Sequence, residues 1–289
     1  MFKLLSWALL IATCFFAAYA ARAAEIHPPA AVIAGTAFTI PTAGAGKATS
    51  YLVGPTYTGK QEVQLGQAIE VNAEEVRSAG QYTVVLRSSD GEASANFYVT
   101  ANQPAALSFL AHPSRIPVSQ PNGIIAVAFI FDKFHNLVFQ PQDVTFRLAV
   151  QNAALISRSV RTRDGIAWTR MDSSRKAGNA QFTASVGSIE EKRVIQQVAS
   201  DPCNLRMRVQ RNPKGISAET DPVRDCTGNP VPDGTVVTFT AQNANGKSTV
   251  DAPLKKGVAR AELNASGPTT ISVASGVVMG NEVRLAGAK

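Results

Sequence analysis

The chain has 289 residues, 45% of them apolar, 7% aromatic and 17% charged, and a net charge of +7 from 28 Lys and Arg against 21 Asp and Glu. That basic excess is mild and scattered, without an accompanying helix or aromatic series, which argues against nucleic-acid binding and is compatible with weak attraction to anionic envelope polymers. The 21 Gly and 16 Pro interrupt many short apolar runs, the texture of β-sandwiches, and the length suits two or three domains.

The N-terminus sets the expected address. Lys3 opens a short positive region, residues 4–18 are apolar and uncharged, and Ala18-Tyr19-Ala20 and Ala21-Arg22-Ala23 are two A-x-A sites. This layout predicts a secretory signal peptide over residues 1–23, cleaved after Ala20 or Ala23. The run of about 15 residues is shorter than the ~20 of a spanning helix. No later stretch is apolar enough to span, so no transmembrane segment is expected in the mature chain. Ile11-Ala12-Thr13-Cys14 is similar to a bacterial lipobox, but Thr13 stands where Gly, Ala or Ser is wanted. The expected location is therefore the periplasm, the cell surface or the medium.

Residues 25–101 read as a first sandwich. Short strand candidates appear at residues 37–40, 64–65 and 69–71. Residues 80–87 alternate, with Tyr82, Val84 and Leu86 on one face. Asp90-Gly91 then separates them from a second arm at 95–100, which signals a hairpin. Ser78-Ala79-Gly80-Gln81-Tyr82-Thr83-Val84 resembles the D-x-G-x-Y-x-C segment of immunoglobulin domains, whose Tyr forms the tyrosine corner. Gly80 and Tyr82 match. Ser78 replaces the Asp and Val84 the Cys, so the resemblance implies no inter-sheet disulfide here. The Gly-rich stretch Thr42-Ala43-Gly44-Ala45-Gly46-Lys47 fails as a phosphate-binding loop at both ends, where Pro41 and Ala48 stand, and reads as a flexible loop.

The rest of the chain repeats itself. Asp132-Lys133-Phe134-His135-Asn136-Leu137-Val138 aligns with Asp225-Cys226-Thr227-Gly228-Asn229-Pro230-Val231. Without a gap, Val144-Thr145-Phe146 meets Val237-Thr238-Phe239. Gly165-Ile166-Ala167 then meets Gly257-Val258-Ala259, and residues 182–187 meet 271–276. A period of about 90 residues is the size of one sandwich. Residues 225–229 are suited to a tight turn. Val237 and Phe239 share one face of a strand. Residues 255–263 read as another strand, with Ala259, Ala261 and Leu263 on one face, Arg260 and Glu262 on the other, and Val258 out of phase. This order resembles the bacterial Ig-like domains of the invasin and intimin family, clearly over residues 203–285 and more loosely over 104–198, where His135 and Leu137 replace Gly and Pro. The expected fold is all-β: tandem immunoglobulin-like β-sandwiches over 25–101, 104–199 and 202–289, joined by short linkers that end in Pro104 and Pro202.

Of the three Cys, Cys14 leaves with the signal peptide, and Cys203 with Cys226 forms an even pair inside one domain of an exported chain. That predicts a structural disulfide. The sequence offers little for catalysis, and no catalytic residue, cofactor or metal site is expected. His27, His112 and His135 lie far apart and read as surface residues. Glu74-Glu75 and Glu190-Glu191 read as solvated charges, since adjacent acids on a strand point to opposite faces. Asp201, Asp221, Asp225 and Asn229 could crowd near one junction and offer oxygens to calcium, although they also suit turns. Trp168, among Arg163, Arg170 and Arg175, reads as a core residue flanked by solvent-facing Arg, with an exposed Trp that binds sugars or an anionic polymer as the alternative. The favoured function is a non-enzymatic envelope module with a protein or polysaccharide partner. Two others compete: a periplasmic chaperone or carrier acting by strand addition, and an accessory module of a polysaccharide-acting enzyme. The family's barrel or other anchor, and its terminal receptor-binding domain, have no counterpart among the segments read here.

Overall fold

The computed structural model describes residues 24–213 and 215–287; the expected signal peptide and Cys14 lie outside them. Among the described residues, the regular elements are strands apart from one 3-10 turn, Ala73–Val76. The chain is all-β, and its sandwiches follow one another in tandem. Every sheet draws its strands from within 25–100, 106–198 or 202–285. By compactness the chain divides into two units, residues 1–102 and 103–289.

In the first unit, Ala31–Ile33, Gly91–Thr100, Gly80–Ser88, Lys47–Val53 and Thr58–Gln64 form a five-stranded sheet in that order, with Phe38–Ile40 and Ile69–Val71 as a smaller pair. The expected hairpin is present, with Ser88 opposite Gly91. Tyr82, Val84 and Leu86 are buried together with Ile40, Ile69, Val71 and Phe97. Tyr82 stacks on Phe97 with ring centroids 5.5 Å apart, and its Oη donates to the carbonyl of Ser78 at 3.1 Å. That is the tyrosine corner, built although the Asp and Cys of the motif are missing: the hydroxyl needs only a backbone acceptor a few residues upstream. Burial raises the Tyr82 pKa more than the backbone bond lowers it.

Two expectations for this unit need correction. Thr42 and Ala43 are not loop: they pair with Glu25–Ile26, and Thr42 Oγ1 donates to the carbonyl of Gln67 at 2.7 Å. Glu74 and Glu75 are not on a strand but in the 3-10 turn, where Glu75 accepts from Asn72 N (2.7 Å) and Tyr57 Oη (2.5 Å). The Glu75 bond, with burial and the carboxylate's charge, pushes the Tyr57 pKa up to about 12.

In the second unit, Ala106–His112, Ile124–Phe131 and Ile166–Met171 form one sheet. Arg115–Pro117, Ile189–Val198, Gly178–Val186, Asp143–Val150 and Ile156–Arg161 form its partner. The buried rings of Phe109, Phe146 and Phe182 fill the space between, with centroids 5.1–6.3 Å apart. Glu191 bridges the seam by accepting from Phe109 N at 2.6 Å and pairing with Arg193. Further on, Met207–Asn212, Gly215–Thr220 and Arg260–Leu263 form one sheet. Gly246–Pro253, Val236–Asn243, Thr269–Ser275 and Val278–Leu285 form the other. One core of Ile216, Val237, Phe239, Leu263, Ile271 and Val273 lies within them. The Asn281 amide ties the first of these strands to the last, accepting from Met207 N (2.7 Å) and donating to Met207 O (3.0 Å).

The internal repeat is a repeat of geometry. Asp132 N donates to Asn136 O and Asp225 N to Asn229 O, both at 2.9 Å. In each turn the first carboxylate accepts from backbone N–H groups two and four residues on. His135 (φ 65°) occupies the left-handed position that Gly228 (φ 87°) holds in the other copy. This conformation costs a side chain more than glycine, and the first copy forms the same turn with His135 in that position. Gly165 (φ 78°) and Gly257 (φ 77°) also coincide, each closing a tight turn bridged by Arg163–Ile166 or Lys255–Val258. Residues 255–258 are therefore turn, and the strand begins only at Arg260. The out-of-phase Val258 marked that boundary. Ala259, Ala261 and Leu263 are buried as expected, and Arg260 and Glu262 are exposed.

Candidate functional site

The densest polar network in the described residues lies where the 106–198 and 202–285 sandwiches meet. Asp225 is buried. Its Oδ1 accepts from Thr227 N, Thr227 Oγ1 and Asn229 N at 2.8–2.9 Å, and its Oδ2 accepts from Ser200 N at 3.1 Å. Burial works to raise its pKa, but the bonds from Thr227 and Asn229 outweigh it and the net shift is downward. The expected disulfide is present: Cys226 is bonded to Cys203, with Cα atoms 4.9 Å apart, and ties the turn to Pro202–Cys203. Asn229, 4% exposed, then reaches across the junction. Its Nδ2 donates to Arg175 O and its Oδ1 accepts from Ala177 N, both at 2.9 Å. A single carboxamide thus satisfies a carbonyl and an amide of the neighbouring sandwich, as a paired strand residue would. Shallow clefts of about 480 and 490 Å³ flank this contact and share Ser173, Arg175 and Thr227.

Trp168 is not a core residue. It is 64% exposed on the outer face of Ile166–Met171, whose inward set is Ala167, Thr169 and Met171. Pairing places Leu110, Val127 and Trp168 in one row across the three strands, and His112, Ile125 and Arg170 in the next. Leu110 is 56% and Ile125 38% exposed, so an apolar row lies open to solvent. The buried Thr169 is accommodated because its Oγ1 donates to Arg170 O and accepts from Arg158 Nη1 (3.3 Å); the same guanidinium donates to Arg170 O at 2.7 Å. The repeat carried a signal for this arrangement. Aligning Gly165 on Gly257 puts Trp168 on the position of Arg260, the outward phase.

The other sequence candidates scatter. His27 lies beside Glu25 (3.3 Å), His112 ends a strand and His135 sits in its turn, and all three are exposed. Glu190 and Glu191 do point to opposite faces, but Glu191 serves the seam. Of the four residues considered for calcium, Asp221 pairs with Arg208 at 2.9 Å, while Asp225 and Asn229 are committed to the turn and the junction. Among the described residues no helix is long and apolar enough to cross a membrane.

No protein-family model and no curated protein matches the sequence. Solved structures do match in shape. The Escherichia coli adhesin FdeC is similar over 92% of this chain and 96% of that one, with a TM-score of 0.65 and 14% identity. Yersinia pseudotuberculosis InvD is similar over 92% of this chain and 97% of that one, with a TM-score of 0.51 and 10% identity. Identities this low speak to fold alone, and on that level the chain has the tandem immunoglobulin-like β-sandwich fold of these bacterial proteins.

Proposed function

We propose that this chain is an exported, non-enzymatic module of the bacterial envelope, built of three immunoglobulin-like domains at 25–101, 104–199 and 202–289, whose task is to hold a binding surface in place. The Asn229 junction is the observation that carries this reading. A buried carboxamide bonded to the neighbouring backbone, beside a disulfide-pinned turn, favours a stiff spacer over freely jointed beads. The likeness to FdeC, an adhesin by its published description, supports the adhesive sense of that surface. The Cys203–Cys226 bridge and the signal-like residues 1–23 support an oxidising, exported address. Cell fractionation with protease shaving of intact cells tests it. Cleavage of the mature chain on intact cells, or its recovery from the medium, is the expected result; full retention in the cytosol would overturn the reading.

A further inference from the structure

We infer that the Trp168 face and the clefts beside it form a binding track for an acidic polysaccharide, pyranose rings bearing carboxylates; the inference rests on the reading of the chain as a binding module and names its ligand class. Three observations converge. The first is the open apolar row of Leu110, Val127 and Trp168, on which the indole stands 64% exposed. An exposed indole offers a flat apolar face with a polar edge, the surface against which the C–H face of a sugar ring stacks. The second is charge. Residues 156–176 hold six cations (Arg158, Arg161, Arg163, Arg170, Arg175, Lys176) against two acids (Asp164, Asp172), a local +4 in a chain of +7. None of Arg158, Arg170, Arg175 and Lys176 has an ion-pair partner among the described residues. Guanidinium groups without a carboxylate of their own are suited to take one from a ligand, in bidentate fashion.

The third observation is shape. Arg170 follows Trp168 on the same face, about 6.8 Å along the strand. With Arg158 it lines a cleft of about 160 Å³. That cleft shares Asp172 with both junction clefts, where Arg175 and Lys176 lie. Asp172 is the one acid on the path, and its Oδ1 accepts from Asn122 N at 2.7 Å. Platform and cations therefore adjoin one another, which fits an extended polyanion. A second copy docking face to face would set two basic patches against each other. The apolar platform itself, three strands about 4.8 Å apart and a few residues long, offers a few hundred Å², below the roughly 800 Å² per partner of a stable protein interface.

Trp168 is the sole tryptophan outside residues 1–23, the other being Trp7, so the mature chain reports on this site through its own fluorescence. Titration with oligogalacturonate is expected to shift or quench the emission saturably, while neutral dextran leaves it unchanged. Trp168→Ala, which removes the stacking face, and Arg170→Ala with Arg175→Ala, which removes two exposed guanidinium groups, are each followed by calorimetry and expected to weaken binding about ten-fold or more. All three side chains lie at or near the surface, and an unchanged thermal melt of each variant establishes that the fold is retained. No response to oligogalacturonate overturns the inference. So does an equal response to poly-glutamate or to single-stranded DNA of matched charge, which would reveal an acidic-peptide or nucleic-acid surface or unspecific charge attraction. Surface exposure in the shaving experiment with no response here would sink the ligand class and leave the envelope role standing.

Discussion

Asn229→Ala removes two hydrogen bonds that run from one sandwich to the next, to Arg175 O and Ala177 N. A buried partner left unsatisfied costs about 1–3 kcal/mol. Arg175 is exposed and Ala177 half-buried, so water can replace part of the loss and the lower end applies, about 2 kcal/mol for the two junction bonds. For a unit of this size each kcal/mol moves the melting temperature by roughly 2–4 °C, so a fall of about 4–8 °C is expected by calorimetry. The control is Asn281→Ala, which deletes an amide making one donor and one acceptor bond, both to Met207 within a single sandwich, whereas Asn229 Nδ2 donates in addition to Asp225 Oδ2 and Thr227 Oγ1 within its turn. Both variants lose stability. Only Asn229→Ala is expected to split the melting of residues 103–289 into two steps, since only that change loosens the junction. A single unsplit transition with a shift below about 2 °C would refute the view that this carboxamide couples the two sandwiches.

Reduction of the disulfide, or Cys203→Ser with Cys226→Ser, opens a loop with a sequence separation of 23 and is expected to cost roughly 3 kcal/mol by chain entropy; urea unfolding with and without reductant measures it, and Ellman titration of the unreduced mature chain should find no free thiol. Tyr82→Phe keeps the ring stack on Phe97 but removes the bond to Ser78 O; a loss of about 1 kcal/mol is expected in urea unfolding, and a larger loss would mean that the hydroxyl holds more than the corner. Stability should also fall in acid. The Asp225, Asp233, Glu190 and Glu219 pKa values are all lowered in the folded chain. The unfolded chain therefore binds more protons than the folded one once the pH drops below the ordinary carboxylate value near 4, and the stabilisation present above that value drains away as the pH falls through the lowered folded values. Urea midpoints between pH 3 and pH 7 test this, and Asp225→Asn should flatten part of the slope.

Much of the fold could be read from local chemistry. Gly80 and Tyr82 announce the corner because a tyrosine corner depends on one ring, one hydroxyl and a backbone carbonyl, none of which requires the missing Cys. The Asp132 and Asp225 turns were readable because the carboxylate's partners are the backbone amides two and four residues on, within one short word of sequence. Trp168 was not readable by the same means. Residues 166–171 carry apolar groups in both phases of the strand, and a one-residue change of phase exchanges the faces; the donor that Thr169 Oγ1 meets on the inward face comes from Arg158, on another strand, and is not visible in the local sequence. Neither was the reach of Asn229, whose partners lie more than 50 residues earlier in a segment with no distinguishing pattern.

The order of the edge strands bears on what happens when the chain is pulled from its ends. Ala31–Ile33 runs parallel to Gly91–Thr100, and Arg115–Pro117 runs parallel to Ile189–Val198. In each of these sandwiches an early strand, second in chain order, therefore lies alongside the closing strand in the same direction, and once the strand before it has given way tension along the chain drags the two past each other lengthwise. Several backbone hydrogen bonds must then yield at once, where a hairpin peeled from its tip would lose them singly. Such an arrangement meets load by shear.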